Sequence, residues 1–356
     1  MNMKDLYFPE VDKKFYNPKS LLLKKDLNGE EPETFFCQGN RTGGKTVNVV
    51  HFALENQLRG NFRKIGFLTR YTTETIGLIE SLFHDVVELF YPGAQYYSSS
   101  NKEDKFPAIY FNDKQIGWVL SLNGSDWVRK RSSLFSEIDC LIMDEFQSEK
   151  EGYLTKELIS FQSIHQSIAR GRGEFSRYVP VIMLSNGFSS INPYYHVYGI
   201  SDRLRSDTKF LRGEGWILEN YYNPNAHDAQ LQSAFMKPFL NSDYFKSMNG
   251  GGFLYDNTAF IQQLKGNNRY ICTIKYGNDF FSIKEYPAEG LLYCDTAYDG
   301  NFPIKYSVTP ISHAPGLMMN ANSMITKSFR DYYNAGLFRF KNQRAQKALI
   351  EFISIK

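Results

Sequence analysis

Cysteine is scarce in this 356-residue chain. Cys37, Cys140, Cys272 and Cys294 are widely spread, and three of them sit inside apolar runs. That excludes a disulfide framework and a CxxC zinc site, and it predicts a reducing compartment. Long apolar runs are missing too: no stretch approaches the roughly 18 apolar residues of a membrane span. The opening MNMKDLYFPEVDKK has no apolar core of the signal-peptide kind. The expectation is a cytosolic protein with no membrane partner. Charge of one sign is likewise absent, with 41 Lys and Arg against 38 Asp and Glu and a net of +3. Such a chain does not coat nucleic acid by bulk charge, so any polyanion contact must be local. No repeat or low-complexity tract interrupts it. What is present is 42% hydrophobic and 22% charged content, which excludes disorder as the main state, and a length that suggests two domains.

The first thirty residues are polar and broken by Pro9, Pro18 and Asn28-Gly29, so they read as a lead-in with room for one short helix around LLLKK, and order begins near Thr34. From there a strand TFFCQG, a glycine cluster, a helix from Lys45 to about Leu58, a strand KIGFLTR and a helix from about Glu74 to Phe90 follow. PAIYFN and IGWVLSL flank a turn at Asn112-Asp113-Lys114, and IDCLIMDE and VPVIMLSN have the form of buried parallel strands. This alternation predicts an α/β domain over residues 1–200, a parallel sheet covered by helices. Residues 201–230 read as a small linker, and 231–250 as helical before Gly250-Gly251-Gly252. Beyond it RYICTIKY, DFFSIKEY and GLLYCDTAY form an antiparallel meander, with helices from Ser323 to about Asn334 and Gln343 to Phe352, so that 231–356 is an α+β domain. Residues 327–356 hold seven Lys or Arg against Asp331 and Glu351, which makes this end the basic part.

Gly39-Asn40-Arg41-Thr42-Gly43-Gly44-Lys45-Thr46 fits G-x4-G-K-[ST] and lies after a strand and before a helix. Glycines let consecutive amides turn inward at phosphate oxygens, and the helix N-terminus adds partial positive charge. Lys45 then reaches the β and γ groups of ATP, and Thr46 holds Mg2+.

Ile138 to Met143 ends in Asp144-Glu145, a buried strand delivering two carboxylates to the sheet edge. Asp144 suits magnesium, and Glu145 suits a base that polarises water for attack on the γ-phosphoryl group. Asn186, at the end of VPVIMLSN, is a candidate sensor of that phosphate, with a helix cap or turn as its alternative role. The helix-like ELISFQSIHQSIARGRGEFSR presents Arg170, Arg172 and Arg177. These suit either a helix dipole or a guanidinium lent to a neighbouring subunit's ATP. Arg129-Lys130-Arg131 fits a second trans-acting group or a DNA-phosphate contact.

Taken in order, these pieces resemble the DNA-packaging ATPases of small tailed phages of the phi-twenty-nine-like group. Beyond the phosphate loop, the resemblance rests on FYNP at Phe15 to Pro18, FLTRY at Phe67 to Tyr71 and MDEF at Met143 to Phe146. It continues with LSN at Leu184 to Asn186, NPY at Asn192 to Tyr194 and YCDTA-YD at Tyr293 to Asp299. The resemblance implies a P-loop NTPase of the additional-strand, catalytic-glutamate type, a short linker domain and a C-terminal domain similar to an RNase H-like nuclease that has lost its activity. It implies a homopentameric ring at the portal vertex of a procapsid in the host cytoplasm, moving double-stranded DNA inward with ATP. It further implies a trans-acting finger at Arg170, with Arg172 the alternate, and docking of the basic C-terminal end on a structural packaging RNA.

Two other functions compete. A terminase-type nuclease with ancillary ATPase needs three or four converging carboxylates. Asp295 and Asp299 are close in sequence, with Asp331 and Glu351 the distant acids, so a vestigial site and no cleavage are expected. A nucleotide-gated structural or RNA-binding component has no use for the Asp144-Glu145 pair.

Overall fold

The computed structural model describes residues 2–75, 77–99, 106–148, 152–170, 175–187, 189–190, 192–201, 203–204, 207–242, 245, 260–308, 313–319 and 324–354. They divide into two compact units, Met1–Tyr255 and Asp256–Lys356.

The first unit begins with a short helix α1 (Lys19–Leu22), then β1 (Thr34–Gly39), α2 (Lys45–Leu58), β2 (Lys64–Thr69) and α3 (Leu78–Phe90). A hairpin-rich stretch follows, comprising β3 (Tyr96–Ser98), β4 (Ala108–Phe111) and β5 (Lys114–Ser121), and then α4 (Ser125–Lys130). β6 (Ile138–Met143), α5 (Glu157–Ile168), β7 (Val181–Ser185), α6 (Pro193–Val197), β8 (Phe210–Gly213), β9 (Trp216–Tyr221) and α7 (Pro224–Gln232) complete it. Nine strands make one sheet in the order β3-β4-β5-β2-β6-β7-β1-β9-β8. From β5 to β9 every neighbour pair is parallel, and the pairs beyond are antiparallel. β1 is buried along its whole length, its polar Thr34 and Gln38 included, because neighbours and covering layers enclose both faces. Alternate residues feed two cores: Phe35, Cys37, Phe67 and Ile182 on one face, Phe36, Leu68, Met143 and Met183 on the other. All four cysteines are buried and free.

Two expectations are corrected here. Residues 201–230 are not a separate linker. β9 pairs in parallel with β1 from Thr34↔Trp216 to Gly39↔Tyr221, so this segment extends the nine-stranded sheet itself. Its glycines serve that sheet: Gly213 packs against Trp216, and Gly215 turns between β8 and β9 at φ +73. Nor is the N-terminal segment a lead-in, since Met3, Tyr16, Leu21 and Leu22 are all buried against the first core. Its apolar residues are too widely spaced to show a period, so their burial is legible only with β9 in place. A smaller difference lies in 231–250. The described helix, α7, ends at Gln232 and a short turn of 3-10 helix covers Lys237–Phe239; residues 246–250 lie outside the described residues.

The second unit contains β10 (Arg269–Tyr276), β11 (Asp279–Tyr286), β12 (Leu291–Asp295), β13 (Lys305–Ser307), β14 (Met318–Met319), α8 (Met324–Asn334), β15 (Phe338–Phe340) and α9 (Gln343–Ser354). Its sheet order is β14-β13-β10-β11-β12-β15, an antiparallel meander of β10, β11 and β12 continued by parallel strands on both sides. Phe329, Leu349 and Phe352 from the two helices close its core.

Candidate active site

The loop between β1 and α2 is shaped by local backbone chemistry. Thr42 has φ 60 and Gly44 φ 79, both in the left-handed region, and Gly44 caps α2 without any side-chain acceptor. The first-turn amides of α2 are thereby left for an external anion. Gly39 is required for another reason: a Cβ there would lie 2.1 Å from the Tyr221 carbonyl oxygen on β9.

Lys45 is buried, and its ammonium donates to the carbonyls of Gly39 at 3.2 Å and Asn40 at 2.7 Å. Burial lowers its pKa, with Arg41 adding to the effect. Next to it the Thr46 hydroxyl donates to Asp144 Oδ2 at 3.0 Å. Burial pushes the Asp144 carboxyl up to about 6, against the opposing hydrogen bond from Thr46. A hydroxyl and a desolvated carboxylate side by side are hard oxygen donors, and a divalent cation relieves the charge burial that raises Asp144, so the pair fits Mg2+. Glu145 follows at φ 56, a conformation rare for a non-glycine residue and costly unless the surroundings enforce it. Its side chain is exposed at the mouth of the cleft.

One cleft of about 350 Å³ is lined by Arg41, Thr42, Gly43, Gly44, Lys45, Thr46 and Val47, and by Asp144, Glu145, Ser185 and Asn186. The order β1, β7 and β6 in the sheet explains this, because parallel neighbours present their C-terminal ends at one edge. Ser185 Oγ is buried there without a hydrogen-bond partner, an orphaned polar atom at the edge of a polar cleft.

The arginines fare differently. Arg170 is exposed just beyond α5 and is not among the cleft residues; its backbone bridges to Ser176. Arg172 lies outside the described residues. Arg177 is structural: it donates to Asp139 at 2.7 Å and to the carbonyls of Ile138 and Ile168 at 3.0 Å each. Arg129 pairs with Asp126 and Lys130 lies over the Trp127 ring, both on the surface. At the C-terminal end Arg330 binds the Ile353 carbonyl, Arg339 those of Gly336 and Phe338, and Arg344 pairs with Asp279. Much of the basic character there therefore serves the domain's own fold. Asp295 is neutralised by Lys284 at 2.8 Å. Among the described residues the one group with converging metal-ligand atoms is the exposed His84, Asp85 and Glu88 on α3, in the other unit.

The family model of the podovirus DNA encapsidation protein (Gp16) matches residues 11–353. The chain belongs to that family. It is similar to the DNA packaging protein of Bacillus phage phi29, 22% identical over 341 residues covering 92% of this chain and 94% of the relative. The DNA packaging protein of Bacillus phage B103 is 24% identical over 315 residues, covering 86% and 92%. Among solved structures, the bacteriophage Phi-29 viral genome packaging motor assembly aligns with a TM-score of 0.69 at 20% identity, over 96% of this chain and all of that one. The Phi-28 gp11 DNA packaging motor aligns at 0.60 and 16%, over 97% and 99%. The fold is P-loop NTPase-like, as the motif order implied.

In this member of the encapsidation family the loop is also gripped from outside, which sequence reading missed. Asn40 accepts from the Asn223 amide at 2.9 Å and donates to the Asn223 carbonyl at 2.8 Å. The Asn223 side chain reaches the Lys14 carbonyl, and the Tyr16 amide donates to the Gly43 carbonyl at 2.9 Å. The partners lie up to 209 residues apart, so no local signal marks them. FYNP, a motif of the resemblance, was the available hint.

Proposed function

We propose that this encapsidation protein is the ATP-hydrolysing subunit of a ring motor that drives double-stranded viral DNA through the portal into a preformed procapsid. The single observation that carries the reading is the cleft in which Lys45, Thr46, Asp144, Glu145 and Asn186 meet. The amides of Gly39 to Thr46 receive the triphosphate. Lys45, now turned onto the loop's own carbonyls, transfers its charge to the β and γ groups. Thr46 and Asp144 would hold Mg2+, which neutralises the phosphate oxygens when bound. Glu145 takes a proton from the attacking water as the oxygen closes on the γ-phosphorus, the bond to the bridging oxygen breaks, and ADP carries away the electron pair. Asn186 contacts the γ-phosphate from the end of β7.

Arg170, exposed and not among the residues lining its own cleft, is placed to act on a neighbour's ATP in a ring, whose number of five is what the resemblance implies. The meander of the second unit supports a vestigial RNase H-like domain, and the Lys284–Asp295 pair weighs against a working nuclease because an ammonium already balances the carboxylate. Docking on a structural RNA has Lys327 in α8, Lys341 between β15 and α9, and Lys347 in α9 as its remaining described cations.

Glu145→Gln tests the reading. It preserves size and hydrogen bonding but removes the base, so steady-state hydrolysis falls on the order of 10²- to 10⁴-fold while ATP still binds. An unchanged rate overturns the hydrolytic assignment and revives a nucleotide-gated structural role.

A further inference from the structure

One buried ion pair in the first unit touches no residue of the phosphate loop. Arg70, just past β2, and Glu157, at the start of α5, are 8% and 2% exposed. Arg70 Nε donates to both Glu157 carboxylate oxygens at 2.9 and 3.1 Å, and a second nitrogen reaches Oε1 at 2.9 Å. That same nitrogen donates to the Phe146 carbonyl at 2.8 Å. Glu157 also accepts from the Tyr194 hydroxyl at 2.8 Å and the Leu154 amide at 2.9 Å, and the Tyr153 ring lies 5.1 Å from the guanidinium.

Stability alone is a poor account of such a pair, because desolvating two ions offsets most of their attraction and an apolar pair of equal volume would serve as well. Its geometry is more informative. Phe146 is the residue after Glu145, and its amide is held from the other side by the Leu184 carbonyl at 3.1 Å. The main chain that sets Glu145 in its left-handed conformation is thus fixed by Leu184 and by the Arg70 fork. Restraint is needed, since Glu145 borders not only the nucleotide cleft but a second cavity lined by Thr69, Arg70, Glu74 and Met143.

We propose that Arg70 and Glu157 form a positioning pair that holds the chain past Glu145 so that its carboxylate faces the nucleotide, governing turnover rather than nucleotide affinity. This rests on the reading of Glu145 as the base. The fork, not just the charge, is what matters, because a planar guanidinium can bind carboxylate and carbonyl together and an ammonium cannot do so with the same geometry.

Arg70→Lys keeps the charge opposite Glu157 and loses the fork. Arg70→Met with Glu157→Gln leaves no lone buried charge, keeps one acceptor oxygen where the carboxylate offered Oε1 to Tyr194 and Oε2 to Leu154, and removes the donor to Phe146. Both are expected to stay folded, with a modestly lower melting temperature from the buried groups left unpaired, and to bind a fluorescent ATP analogue with wild-type affinity. Their kcat falls on the order of a hundredfold, the scale of a small misplacement of a reacting group. Wild-type kcat in the folded Arg70→Lys protein overturns the proposal. So does an equal loss of affinity and turnover, the mark of a general fold defect. If Glu145→Gln is inactive while Arg70→Lys is fully active, this proposal alone falls; if Glu145→Gln hydrolyses normally, the base assignment falls first.

Discussion

Individual residues here do work that their type alone does not disclose. His165 is one: its Nε2 lies 2.9 Å from the Val179 carbonyl and 3.5 Å from Glu33. Burial by itself would lower its pKa, yet the hydrogen bonds with Glu33 and Val179 and the Glu33 charge outweigh it and raise the value. A raised folded pKa means that the unfolded state loses its proton first as pH climbs. The contribution is therefore full below the ordinary value of about 6.5 and is lost as pH rises through the folded value. His165→Gln should lower the melting temperature more at about pH 6 than at about pH 8.5; a gap that widens with pH would contradict the ion pair. Gly39 is another such residue, needed for β9 whatever its part in the proposed phosphate cradle, because Tyr221 leaves no room for a side chain.

Elements carry the next level of dependence. The segment before β1 has little regular structure, but Tyr16 is fully buried, its ring meets Tyr221 at 4.9 Å, and its hydroxyl donates to Glu219 on β9 at 3.1 Å. Burial raises the Glu219 pKa, and Tyr16 and Ser20 are the donors that hold its charge. An expendable lead-in would tolerate Tyr16→Ala. The packed arrangement instead predicts a loss of about 3–5 kcal/mol in chemical denaturation, the range for deleting a buried aromatic, and weaker nucleotide binding because the Gly43 contact loosens with it. The same reasoning explains why 201–230 resembles a linker by sequence alone. Strand β8 is short and partly exposed and β9 ends in polar residues, so their glycines and prolines dominate the local pattern. Only the β1 register turns them into sheet.

At the scale of the whole molecule, the first unit gathers Lys45, Thr46, Asp144, Glu145 and Asn186 in one cleft, and Arg170 is not among its lining residues. Proteins that lack Lys45 and proteins that lack Arg170 should each be inactive alone. Mixed, Lys45→Ala and Arg170→Ala subunits place an intact cleft beside an intact finger at some interfaces, so hydrolysis should partly recover. Activity that never exceeds the sum of the two separate rates would remove the trans role from Arg170. The proposed ring would also give meaning to the modest net charge of +3, since DNA held in a channel needs a few well-placed cations rather than a basic coat.

Local chemistry was readable from residue order. The loop Gly39 to Thr46, helix α2, the strand ending in Asp144-Glu145 and the meander of the second unit each depend on neighbours a few residues away, through φ preferences, apolar periodicity and turn residues. Non-local closure was not. The Asn40–Asn223 bonds, the Tyr16–Glu219 contact, the insertion of β9 beside β1 and the Arg70–Glu157–Phe146 network join residues 76 to 203 positions apart. Such contacts are selected by the packing of the finished sheet, whose parallel order gathers distant strand ends at one edge, and no spacing in a single sequence encodes that meeting.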